Sequence, residues 1–256
     1  LHGAQWGNAT CFPQSISMAA TFDTDLYHQV ALVIAKELRA VGVRQVYAPV
    51  VNVSRDQRWG RAQESYGEDV LLNSAFGVAY VKALEGSGVV TTPKHFVDNY
   101  GEGGHDSYPS PTSWRVLREV YLEPFRACFQ EGGSRSVMSS YNSIDGVPVS
   151  CNDRLLNQIL KNEWGFDGYV VCDYGAVGLL KDGHFSLRNE RQTVNALAAD
   201  VGIEPFDERI IGNTVVHFEG DVVTALKLDV GDFVFLCVLD DILAQRAERA
   251  CTEPRE

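Results

Sequence analysis

Between Val43 and Leu180, short apolar runs alternate with longer amphipathic stretches, and this alternation restricts the fold more than any other feature of the chain. β-Favouring runs separated by helix-period segments are the pattern of βαβ units, whose strands lie parallel and are covered on both faces. Five runs read as strands: Val43 to Val51, Val89 to Pro93, Ser136 to Ser140, Gly168 to Cys172, and a poorer one at Ala199 to Ile203. The helical patterns fall at Asp25 to Val41, Asp69 to Glu85, Arg115 to Glu131 and Asp153 to Glu163. The first carries Leu26, Val30, Val33 and Leu38 near a 3.6 spacing, with Thr24 or Asp25 available as its cap.

The expected fold class is therefore α/β with a parallel sheet, either open or closed into a TIM-barrel-like (β/α) domain. Eight strands make a complete barrel and five are legible, so the barrel is expected to be incomplete or irregular. With 256 residues and 45% hydrophobic content, the chain is long enough for one large domain or two small ones with a packed core. After about Leu180 the character changes. Ile210-Ile211, Thr214 to Val216 and Phe233-Val234 lean towards β structure with no helix pattern between them, and Asp240 to Ala250 reads as a charged helix.

Charge and cysteine usage narrow the function classes. The 34 acidic and 22 basic residues leave a net charge of -12, which disfavours a nucleic-acid or anionic-membrane surface and permits a neutral substrate; a sugar is compatible, a polyphosphate less so. The six cysteines include no C-x-x-C pair, so neither a zinc knuckle nor a disulfide-dense scaffold is indicated; no metal or other cofactor is expected. No apolar run approaches the roughly 18 residues of a membrane span, and Leu1-His2-Gly3 lacks the features of a signal peptide.

The candidate site lies where strands end. In Gly168 to Val177, Tyr169, Val170 and Val171 deliver Asp173 into a Gly-containing turn. In parallel α/β folds the C-terminal strand edge is where ligands bind and catalysis occurs. The same position also suits the cap of a helix starting near Ala176. Two other strand ends bring Lys94-His95 and Tyr141-Asn142 to that edge. A cation beside Asp173 would keep its carboxylate ionised, as a nucleophile requires, while Lys94 and His95 could bind substrate hydroxyls. The long loop from Arg55 to Asp69 groups Arg55, Arg58 and Arg61 around Trp59, with Asp56, Glu64, Glu68 and Asp69 nearby. Trp and Arg together suit a sugar-binding wall, although most of these charges are expected to pair with one another and one Arg to reach the ligand.

Taken in order, R-D-Q-R-W-G-R-A-Q-E-S-Y-G-E-D, T-P-K-H-F, S-V-M-S-S-Y-N-S-I-D-G-V-P and E-W-G-F-D-G-Y-V-V-C-D-Y resemble glycoside hydrolase family 3 in its first, barrel-like domain. The resemblance covers roughly Leu1 to Leu180 and is divergent from 181 to 256, where Val201 to Glu204 is similar to a family strand. It implies a single domain of this first type over 1–256 and a retaining exo-β-glycosidase of β-glucosidase kind, acting on a β-glucoside or β-xyloside. Asp173 would be the nucleophile. Arg61, Lys94 and His95 would hold sugar hydroxyls, and Met138, Tyr141 and Tyr174 would line the first subsite. A second carboxyl would assist about 5 to 5.5 Å away. A secreted or periplasmic setting is implied by the family.

The departures from the family pattern shape the alternatives. In most β-glucosidase-like members the acid/base Glu comes from a second sandwich domain, which is expected to be absent here; a homo-oligomer or a separate second domain would have to complete the site. Cys172 stands where Ser is usual, and His105 where an Arg commonly contacts the sugar. A truncated, weak or inactive sugar-binding remnant is thus the alternative of another class. One family branch, the N-acetylglucosaminidases, uses an Asp-His pair on the loop after K-H-F; His105 with Asp106 would be the corresponding acid/base here. A phosphoryl-accepting Asp173 is disfavoured because no Gly-rich phosphate loop or acidic metal cluster accompanies it.

Overall fold

The computed structural model describes residues 2–4, 7–99 and 108–188. His105, Asp106, the run at Ala199 to Ile203 and the β-leaning and charged segments beyond it lie outside the described residues.

Helices α1 (Ser15–Ala19) and α2 (Thr24–Ala40) lead into strand β1 (Gln45–Val46), followed by α3 (Val70–Gly86) and β2 (Val90–Thr91). Strand β3 (Pro109–Ser110), α4 (Trp114–Val116) and α5 (Glu123–Gln130) precede β4 (Ser136–Ser139). A hairpin of β5 (Ser143–Ile144) and β6 (Val147–Pro148) comes next, then a π-helical segment over Arg154–Glu163, β7 (Tyr169–Cys172) and α6 (Ala176–Asp182).

Strands β1, β2, β4 and β7 follow one another in space as they do in sequence. β1 pairs with β2 in parallel (Gln45 with Val90, Val46 with Thr91), and a parallel bridge joins Val50 to Lys94. Phe96 bridges to Ser139, and β4 pairs with β7 from Ser136–Tyr169 to Ser139–Cys172. A helical connection separates each pair, as a parallel arrangement demands. The sheet is α/β as the alternation predicts.

Local sequence chemistry explains the departures. The strand predicted over Val43 to Val51 is regular only at Gln45–Val46 because Pro49, which follows a cis Ala48–Pro49 bond and has no N–H, interrupts it. Pairing resumes through carbonyls: Ala48 and Pro49 accept from Thr92 N and Lys94 N at 2.9 Å each, and Val51 N donates to Lys94 O at 3.0 Å. The helix predicted over Arg115 to Glu131 is broken: Leu117–Tyr121 winds as a π turn, and α5 restarts with Pro124 in its first turn. Asp23, rather than Thr24 or Asp25, caps α2: its backbone is extended and its carboxylate accepts from Leu26 N at 2.8 Å.

The alternation of side chains across β4 and β7 sets which face each residue serves. Val137 belongs to the buried apolar core and Val170 packs against it, so these two face the helices. Their neighbours Met138 and Val171, paired in register, face the other side, and the same period carries Asp173 onto the Val171 face. On the helix side, Phe96 meets Phe125 edge to face at 5.2 Å, and Phe129 packs on Phe166 at 4.7 Å between ring centroids. The strand that ends in Lys94-His95 is thus anchored from behind by its own Phe96.

Candidate active site

The described site is assembled from the ends of β1, β2, β4 and β7. Asp173 N donates to Ser139 O at 3.2 Å, extending the β4–β7 ladder by one bond and fixing the backbone of the carboxylate's own residue. The helix-cap role for Asp173 does not hold. α6 begins at Ala176 behind Gly175, whose φ of 73° is left-handed, and no side chain caps it. Instead Asp173 Oδ1 accepts from Tyr174 N at 2.8 Å, while Oδ2 has no hydrogen-bond partner among the described residues. That oxygen faces His95 Nε2 at 3.6 Å, with the Asp173 side chain 14% exposed.

Lys94 and His95 are joined by a cis peptide bond at the end of the β2 run. Burial pushes the Lys94 ammonium below its usual pKa range, and the Arg61 charge adds to this, against the opposing pull of Asp173 and Glu64. Arg61 is also partly buried, but the Glu64 carboxylate outweighs that cost and holds the guanidinium above its usual range, with smaller help from Asp173. The pair is a two-pronged fork, Nε to Oε1 at 2.7 Å and the terminal nitrogen to Oε2 at 2.8 Å. Two cations therefore act on Asp173, and one of them is neutralised by its own carboxylate.

The long loop pairs its charges much as its composition suggests. Arg58 closes on Asp56, and Asp69 caps α3 through Leu72 N. Trp59, read from sequence as part of an open sugar wall, is instead buried, at 1% exposure. Its ring meets His95 edge to face at 6.4 Å between centroids, so it backs the site and does not border it. Its Nε1 has no hydrogen-bond partner among the described residues.

The remaining sequence candidates divide between floor and rim. Met138 is buried on the Asp173 face. Tyr141 donates its hydroxyl to Tyr174 O at 2.7 Å, and His184 Nε2 donates to Tyr141 O at 2.7 Å. Burial holds the His184 pKa below its usual range despite that bond. Tyr174 itself is 66% exposed beside Asp173 and forms the open rim.

Sequence reading passed over several residues of the site. Asn52 ends the β1 run in P-V-V-N, the same strand-end signal that marked Asp173, and its side chain engages His95 at three points. Asp98, two residues past Phe96, is 1% exposed, and burial pushes its carboxyl up to about 6 against hydrogen bonds from Ser110 and Thr112. Ser110 donates to its Oδ2, and Oδ1 has no hydrogen-bond partner among the described residues. Asn99 is buried with both side-chain polar atoms in that condition, and so is Oδ1 of Asn142, which the sequence already brings to this edge. Buried polar atoms that lack partners are costly, so a concentration of them at one sheet edge is suited to a ligand rich in hydroxyls. No group of three metal-ligating side chains occurs among the described residues, and no described helix is long and apolar enough to cross a membrane.

Residues 1–225 match the glycosyl hydrolase family 3 N-terminal domain, and the chain belongs to that family. It is 40% identical over 231 residues to a beta-xylosidase of Formosa agariphila, covering 84% of this chain and 31% of that protein. It is 38% identical over 211 residues to the periplasmic beta-glucosidase of Salmonella typhimurium, covering 79% of this chain and 27% of that one. A beta-glucosidase from Erythrobacter marinus has a similar structure, with a TM-score of 0.73 at 33% identity, covering 79% of this chain and 28% of that one. A beta-glucosidase of Listeria innocua solved with glucose gives 0.73 at 31% identity, over 79% of this chain and 28% of its own. The chain spans less than a third of the length of these relatives.

Proposed function

We propose that this chain carries the sugar-binding and nucleophilic half of a retaining exo-β-glycosidase acting on β-glucosides or β-xylosides. The observation that carries the reading is Asp173: a strand-end carboxylate with one unpartnered oxygen among the described residues, next to His95 and under the charges of Lys94 and Arg61. Such a group lies beside cations with one oxygen left to face a substrate, as attack on an anomeric carbon requires. The resulting glycosyl-enzyme would be hydrolysed by water. Arg61, Lys94 and His95 would hold the sugar's hydroxyls, with Met138 beneath it and Tyr141 and Tyr174 at its rim. The four parallel strands in chain order would form an arc of a (β/α)8 barrel, and Asp173 would lie at its C-terminal mouth.

The test uses p-nitrophenyl β-D-glucoside and β-D-xyloside, with the anomer of the first product read by NMR. Hydrolysis with retention, abolished in Asp173→Asn, supports the reading. Equal hydrolysis by wild type and Asp173→Asn overturns it.

A second reading, sugar binding without turnover, is favoured by one observation: Glu64, the carboxylate within the Lys94–Arg61 charge cluster, is already engaged by Arg61. It therefore makes a poor acid/base. Calorimetry with glucose separates the two readings, because heat of binding without product formation supports the second. An acid/base role for His105 would instead require that His105→Ala lose turnover on p-nitrophenyl substrates while Asp173 remains intact.

A further inference from the structure

The hydrogen bonds between Asn52 and His95 fix a property that neither residue declares alone. Asn52 Oδ1 accepts from His95 N at 2.7 Å, and Asn52 Nδ2 donates to His95 O at 3.0 Å. These two backbone bonds allow only one orientation of the amide. A flipped Asn52 would set its NH2 against the His95 N–H and its oxygen against the His95 carbonyl. The oxygen therefore points at His95 Nδ1, 3.0 Å away. An amide oxygen only accepts, so Nδ1 must carry the proton. Both residues are buried, His95 completely and Asn52 at 3% exposure, so water does not compete for this bond.

We propose that Asn52 is a positioning residue that locks His95 as the Nδ1-protonated tautomer and thereby makes Nε2 the proton-accepting atom of the site. When the ring carries this one proton, Nε2 turns a lone pair towards Asp173 Oδ2 at 3.6 Å, another acceptor. Two acceptors face each other, and a group seated against both must donate. A sugar hydroxyl does so; an ether oxygen or a fluorine does not. Lys94, whose charge acts on the same Asp173, supplies a donor to complement this acceptor. The specificity this implies is for a ligand that donates at the His95 position. That consequence rests on the sugar-binding reading above, whereas the tautomer itself rests only on the Asn52 bonds.

The experiment is long-range 15N–1H correlation NMR of the imidazoles in the uniformly labelled chain at neutral pH, with the His95 signals identified by their loss in His95→Gln. The expected pattern has Nδ1 at the shift of a protonated ring nitrogen and Nε2 at that of an unprotonated one. Asn52→Ala should convert this to a tautomer mixture, and Asn52→Asp, which keeps the acceptor oxygen, should restore protonated Nδ1. An Nε2-protonated His95 in the wild type, or an unchanged pattern in Asn52→Ala, overturns the proposal. If Asn52→Ala does not fold, the wild-type pattern and that of Asn52→Asp still decide it. No substrate is present, so failure here leaves the glycosidase reading standing, and absence of hydrolysis leaves the tautomer standing.

Discussion

Replacing Asp98 with Asn should stabilise the protein by an amount that depends on pH. Asp98 has a φ of 64°, a left-handed conformation that Asn tolerates as well as Asp does, so the exchange removes a charge without disturbing the backbone. Burial raises the carboxyl from 3.8 to about 6. A raised carboxyl means that the folded state binds the proton more tightly than the unfolded state, so stability falls as pH rises from about 4 to about 6 and stays lowered above that. About two units correspond to a cost on the order of 3 kcal/mol at neutral pH. Roughly half of it develops between pH 5 and 8, because at pH 5 most of the unfolded carboxyl but little of the folded one is ionised. The Asp98→Asn variant carries no such cost at any pH. Urea denaturation of both proteins from pH 5 to 8 should therefore show the variant's advantage growing by about 1.5 kcal/mol, the other titrating groups cancelling in the difference. A stability difference that stays constant over this range would refute the reasoning, since it would mean that Asp98 titrates alike in both states.

Two further outcomes follow from packing and charge. A Cβ at Gly168 would lie 2.2 Å from Arg135 O, a backbone atom at the entry to β4, so Gly168→Ala should displace the β4–β7 register and cost about 2 kcal/mol, read as a lowered melting temperature. Lys94→Met should weaken glucose binding by roughly tenfold or more in calorimetry, the loss typical of a hydrogen bond from a charged donor, with the melting temperature little changed.

How much of this was legible beforehand varies with the chemistry of each segment. β7 and its terminal Asp173 were readable because Tyr169 to Cys172 is an unbroken β-favouring run followed by a Gly turn. That the four strands pair in parallel followed from their alternation with helices. The β5–β6 hairpin was passed over, although Asp145-Gly146 between Ile144 and Val147 is a strong turn signal; both residues adopt positive φ, 50° and 77°. Asn52 was missed because amide side chains carry no charge and their importance lies in what they bond across the sheet, 43 positions away in His95. The burial of Trp59 was equally unreadable, since an aromatic ring in a polar loop serves a wall or a backing layer with the same sequence. Asp98 reads as an ordinary loop acid until the fold buries it against Ser110.

The central claim, that Asp173 forms a bond to the sugar, is tested most directly by covalent trapping. With 2,4-dinitrophenyl 2-deoxy-2-fluoro-β-D-glucoside, the phenolate leaves without needing a proton, so trapping does not depend on an acid/base residue, and the fluorine slows hydrolysis of the intermediate. Intact-protein and peptide mass spectrometry should find one fluoroglucosyl group on the peptide containing Asp173, with a stoichiometric burst of dinitrophenolate, and neither in Asp173→Asn. A label on another residue, or a burst that survives in Asp173→Asn, would contradict the account.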